Sequence, residues 1–166
     1  AGAVRYAKPD PGKPNGPWIS VQVGDAGSYT AHGIGAGDIN GDGKADILNP
    51  TGWWEQPADG AMKPMWTFHA SPFGRGGAEI SVYDINGDGL NDVVTSLQAH
   101  GFGLSWFEQK REGATISFVE HPIAGNFAAK NAGGVTFSEP HGSTSADIDL
   151  DGIPDFIVGK RFFSHL

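Results

Sequence analysis

One nine-residue pattern constrains this chain more than any other. It reads Asp38-Ile39-Asn40-Gly41-Asp42-Gly43-Lys44-Ala45-Asp46. It recurs as Asp84-Ile85-Asn86-Gly87-Asp88-Gly89-Leu90-Asn91-Asp92, and again as Asp147-Ile148-Asp149-Leu150-Asp151-Gly152-Ile153-Pro154-Asp155. Each copy places side-chain oxygens at positions 1, 3, 5 and 9 and a glycine at position 6, which permits a sharp turn. Carboxylates and amides at alternate positions, with a backbone carbonyl at position 7, suit a hard, oxygen-seeking cation. The expected ligands to calcium are Asp38, Asn40, Asp42, Asp46 and the Lys44 carbonyl. In the second copy they are Asp84, Asn86, Asp88, Asp92 and the Leu90 carbonyl, and in the third Asp147, Asp149, Asp151, Asp155 and the Ile153 carbonyl.

Two alternatives compete with that reading. An EF-hand needs a Glu at position 12, where this chain has Asn49, Thr95 and Val158, and helical flanks where these are strand-like. An Asx-rich β-turn without metal would leave three or four carboxylates packed in nine residues with nothing nearby to offset their repulsion. Three Ca2+ sites are therefore expected, as structural ties between strands.

The flanks of the three copies repeat as well. Ile80-Ser81-Val82-Tyr83 enters the second loop and Val93-Val94-Thr95-Ser96-Leu97 leaves it. Trp53-Trp54-Glu55-Gln56 is matched by Trp106-Phe107-Glu108-Gln109, and the strand ending in His69 by the one ending in His121. The loops are spaced by 46 and then 63 residues, the excess lying in the Gly/Ala-rich Ala124–Ser138. Four short antiparallel strands per repeat make the unit of a β-propeller blade, which needs a neighbour on each face. The expected fold class is all-β. Residues 1–17 form an extended lead-in, and 18–166 a partial propeller of about three blades: a trailing strand at 18–33, units at 34–70 and 78–122, and a half blade at 141–166.

Composition agrees. The chain has 166 residues with 26 Gly and 11 Pro, and Gly or Pro interrupts every candidate helical window. Of its 19 acidic residues, ten are the loop aspartates, so most of the net charge of −8 belongs to the loops. No basic stripe is present to neutralise phosphates, which argues against nucleic acid as a partner. No cysteine is present, so thiolate metal sites are excluded. No stretch approaches the roughly 18 apolar residues of a membrane span. The first residues lack a signal-peptide apolar run, so a removed signal or a fragment is expected.

The segments GDINGDGKADIL, YDINGDGLNDVV and ADIDLDGIPDFIV resemble FG-GAP/VCBS repeats, found in integrin α-subunit propellers and many bacterial secreted proteins. The segments AHGIGAGDINGDG, GWWEQP, AHGFGLSWFEQ and GKRFFSH resemble the propeller of aldos-2-ulose (anhydrofructose) dehydratases and related bacterial proteins. The resemblance implies a secreted, periplasmic or extracellular protein. It also implies further blades, in the same or another chain, to close the ring.

Topology assigns the histidines. The acidic loop joins the first strand of a repeat to the second, so residues before the first strand and after the second share the opposite end. His32 and His141 precede their acidic loops by six residues, with Ala78 at the matching place. His100 and His165 follow second strands. Such a cluster can bind a transition metal or act as general base, with zinc or magnesium as the candidate ion at His32, His100 and His141. The resemblance to the dehydratases implies β-elimination from a keto-sugar, with His100 or His141 as base and Lys160 or Arg161 stabilising the enolate. The bland reading is that these histidines fill polar turns. His69 and His121 are read as structural, and the tryptophans as core between sheets. Two functions remain open: a calcium-stapled module recognising a glycan or protein, and a keto-sugar lyase.

Overall fold

The computed structural model describes residues 2–25, 28, 32–126 and 131–161. Its secondary structure is all-β apart from one 3-10 turn at Ala132–Gly134, and it forms four antiparallel sheets. No helix among the described residues is long and apolar enough to cross a membrane.

The N-terminal sheet pairs β1 (Arg5–Lys8) with β2 (Ile19–Gln22). The second sheet runs in the order β3 (Gly35–Gly37), β4 (Asp46–Asn49), β5 (Gly52–Glu55) and β6 (Thr67–Ala70). The third repeats that order with β7 (Ser81–Tyr83), β8 (Asp92–Ser96), β9 (Leu104–Glu112) and β10 (Thr115–Ala124). The fourth holds β11 (Pro140–Ala146) and β12 (Asp155–Lys160). Each acidic loop joins the first strand of its sheet to the second.

The strands exist because both faces of a sheet find cover. In β4, all four residues are buried, although a strand alternates its side chains between two faces. Ile47 and its cross-strand partner Trp54 face one way, packing with Val4, Val23 and Trp66. Leu48 and its partner Trp53 face the other, packing with Val93 and Phe107 from the third sheet and with Phe73 from the connection between the two sheets. Near-continuous apolar runs follow from this two-sided burial.

The first strands lie side by side. Gly35 bridges Ile80 in parallel, and a Cβ on Gly35 would sit 2.1 Å from the Ile80 carbonyl oxygen. Only a bare backbone fits there. On the far flank Ser143 of β11 donates its amide to Glu79 Oε2 and its hydroxyl to the Glu79 carbonyl, both at 2.9 Å. Strands β3 and β11 thus flank β7, with their N-terminal ends at one pole and the acidic loops at the other.

One strand appears where composition pointed only to a lead-in. β1 lies within 1–17 because Val4 and Tyr6 alternate inward, Val4 fully buried and Tyr6 packed on the Trp66 ring. Two apolar side chains are a weak period-2 signal among Pro, Gly and Lys. The sheet they complete covers the Ile47/Trp54 face.

Candidate metal centres at opposite poles

The three acidic loops share one hydrogen-bond scheme. Asp38 accepts from the amides of Gly41, Asp42 and Gly43, and Asp84 from those of Gly87, Asp88 and Gly89. Asp147 accepts from Asp151 and Gly152. The residue at position 3 (Asn40, Asn86 or Asp149) accepts from the position-5 amide, and Asp42, Asp88 and Asp151 each accept from the amide two residues on. In the third loop the carboxylate oxygens of Asp147, Asp149 and Asp151 lie within 4.8 Å of one another.

The ninth position differs in depth. Asp46 and Asp92 are fully buried, each held by two backbone amides: Ile39 and Gln56 for the first, Ile85 and Gln109 for the second. Burial pushes both carboxyls above the usual range, and the neighbouring loop aspartates add to it. A buried carboxylate so placed is stabilised by a cation. Asp155 keeps the bond to its loop, from Ile148, but is exposed. Lys44 holds its ammonium 2.7 Å from Asp42, which lowers the Asp42 carboxyl. The third sheet also grips the first loop from outside: Asn91, Gln109 and Arg111 donate to the carbonyls of Asp38, Ile39 and Asn40.

At the other pole His32, His100 and His141 converge. Their ring centroids are 5.0, 5.6 and 5.2 Å apart, and one nitrogen from each lies within 4.8 Å of the others. His32 precedes β3, His141 is the second residue of β11, and His100 sits in the loop after β8. That loop folds back through bonds from Leu97 to Gly103 and Ala99 to Gly76, and Glu139 is tied to it at Gly101. Ala78, in the segment leading into β7, is buried; its small side chain leaves the third corner to His100. Desolvation, followed by the charges of His100 and His141, lowers the His32 pKa below 6.5.

Three imidazoles brought this close match the ligand set of a three-histidine zinc site. Zn–N bonds of about 2.0–2.1 Å require nitrogens roughly 3.4 Å apart, within reach of small ring rotations. Magnesium prefers oxygen ligands, so the donor set fits zinc better. A cavity of about 190 Å³ opens there, lined by His32, Ala78, Glu79 and His141 among others.

Other expected site residues lie around this pole. Lys160 ends β12 across from Pro140 and is exposed. The Arg161 amide donates to the Glu139 carbonyl. His165 lies outside the described residues. His69 and His121 are accounted for by the sheets: each bonds a glutamate (Glu55 at 2.8 Å, Glu108 at 3.0 Å) and stacks on a tryptophan (Trp53, Trp106).

Two residues at the histidine pole escaped the sequence reading. Glu79 lines the cavity, and it stands where the other repeats have Gly33 and Gly142. Glu139 sits at φ 61° with Oε2 buried and unbonded among the described residues. The first could have been found by asking where one repeat departs from the other two; the second has no sequence signal. No family model, curated protein or solved structure matches the chain.

Proposed function

We propose that this chain is a segment of an FG-GAP/VCBS-type β-propeller, stapled by calcium at its three acidic loops and carrying a zinc-type centre at its opposite pole. The function that best suits that centre is a carbohydrate lyase, dehydrating keto-sugars by β-elimination. The observation that carries the reading is the convergence of His32, His100 and His141 from three separate repeats on one another, two of them, His32 and His141, lining the cavity at that pole. Histidines that merely fill turns have no reason to aim at a common point.

Calcium in the loops is supported by the thrice-repeated hydrogen-bond scheme and by the buried carboxyls of Asp46 and Asp92. Such sites fill at extracellular calcium levels, which favours a secreted or periplasmic setting. Ile148 in the third acidic loop and Ile157 on β12, both exposed, correspond to Ile39 and Leu48, which the third sheet buries. Further blades, from this or another chain, are the natural cover. In this reading a zinc ion would polarise the substrate carbonyl, and Lys160 or Arg161, whose backbone pairs with Pro140 and Glu139, would stabilise the developing oxyanion.

Metal analysis after dialysis tests the assignment. Calcium plus one zinc per chain, with the zinc lost in His141→Ala, is the expected result, together with an ultraviolet-absorbing enone formed from anhydrofructose or a 3-keto-glycoside. Calcium alone, unchanged by that substitution, would instead identify a recognition module for a glycan or protein.

A further inference from the structure

We propose that Glu79 is the general base of the histidine centre, the group that takes the proton from the carbon beside the substrate carbonyl. The inference rests on the lyase reading above and corrects one part of it. An imidazole whose basic nitrogen holds a metal cannot also accept a proton there, so three ligating histidines leave the site without a histidine base. A base must come from another side chain on the cavity.

Glu79 is the acidic residue among those lining that cavity. Its Oε2 accepts the Ser143 amide at 2.9 Å, while its backbone carbonyl accepts the Ser143 hydroxyl at 2.9 Å. Those two bonds lock the residue against β11, two positions beyond His141. Oε1 accepts no hydrogen bond among the described residues, leaving it available to a ligand. Glu139 is the rival carboxylate, but it does not line this cavity.

The repeat supplies an independent argument. Two copies read His32-Gly33 and His141-Gly142 at this point, and the middle copy reads Ala78-Glu79. Neither the acidic loop nor the sheet core needs a glutamate here, since glycine serves in both other copies. The middle copy thus carries a carboxylate one position beyond the place where its neighbours carry imidazoles.

The step balances without a further reagent. The Glu79 carboxylate takes the α-proton, and the C–H electron pair forms an enediolate. When the β C–O bond breaks, the departing oxygen takes that proton from Glu79 and restores the carboxylate, leaving as water from anhydrofructose and as the aglycone alcohol from a 3-keto-glycoside. The cavity admits a ligand of about one sugar ring, a small volume by the standard of enzyme pockets.

The test uses Glu79→Gln and Glu79→Asp in the whole chain, loaded with cobalt(II) as a visible probe. Cobalt binding is expected at wild-type stoichiometry in both variants and lost in His141→Ala. The pH midpoint of the cobalt spectrum should fall in Glu79→Gln, because a neighbouring negative charge has been removed; an unmoved midpoint would overturn the proposal. Deuterium uptake at the α-carbon of a 3-keto-glycoside in D2O should drop about 10²–10⁴-fold in Glu79→Gln, with partial recovery in Glu79→Asp. Uptake within about threefold of wild type would equally overturn it. A wild type that binds cobalt yet exchanges no proton refutes both the base and the lyase. A wild type that binds none at the histidines refutes the metal centre on which the proposal stands.

Discussion

Leu150 shows how closely the third acidic loop copies the other two. It occupies the left-handed region at φ 62°, at the position where Gly41 and Gly87 sit at φ 75°, and its side chain is 84% exposed. A side chain in that region costs about 1–2 kcal/mol, and nothing packs against this one. Leu150→Gly should therefore stabilise the fold by about 0.5–1 kcal/mol, after allowing for the extra freedom of glycine in the unfolded chain. Thermal melts would show it as a rise of roughly 1–4 °C; a fall would mean the leucine is covered in solution. His32 offers a second test at this scale. Its pKa is lowered by burial first and by His100 and His141 next, so its stabilising contribution is present above 6.5 and lost as pH falls through the depressed value. In metal-free protein, the His32 imidazole should titrate by NMR below 6.5, and His100→Ala should move that midpoint upward. A normal midpoint in wild type would refute the cluster.

Among the elements, what was legible in the sequence followed from repetition. β4 and β8, β5 and β9, and β6 and β10 could each be read twice, and each pair confirmed the other's period. β1 could be read once only, from Val4 and Tyr6, and local composition hid it. The convergence of the histidines was legible as topology, because both ends of a first strand are fixed once its loop is known. That Glu79 joins them was not, because comparing copies draws the eye to shared residues and away from the one that departs. The close approach of strands is likewise a tertiary fact. A Cβ on Gly77 would lie 1.9 Å from the Ser96 carbonyl oxygen, so Gly77→Ala must part the segment leading into β7 from the end of β8. We expect a loss of about 2–3 kcal/mol, read from the urea midpoint, whereas a loss below about 0.5 kcal/mol would mean these strands are less tightly joined.

For the molecule as a whole, loops and histidines make opposite demands on pH. Without a cation, Asp46 and Asp92 have folded-state pKa values raised by burial. Their contribution to stability is then fully present in acid and is lost as pH rises through those raised values. Calcium reverses the sign: it holds the same carboxylates ionised, drawing their pKa values below the unfolded ones, so stability is present at neutral pH and lost as protons displace the ion. The gain from calcium, measured as the melting temperature in millimolar calcium minus that in EDTA, should therefore be large at pH 7 and shrink towards pH 5. Each site filled at 100 times its Kd contributes about 2.7 kcal/mol, so even one occupied loop would be visible. With both samples first freed of transition metal, the histidine contribution cancels in this difference, since imidazoles do not hold calcium at such sites. Asp92→Asn should remove part of the calcium gain while raising the stability of the EDTA-treated protein at pH 7, because a buried charge has been replaced by a neutral amide. A calcium gain that is absent, or equal at both pH values, would leave the three loops as turns without metal.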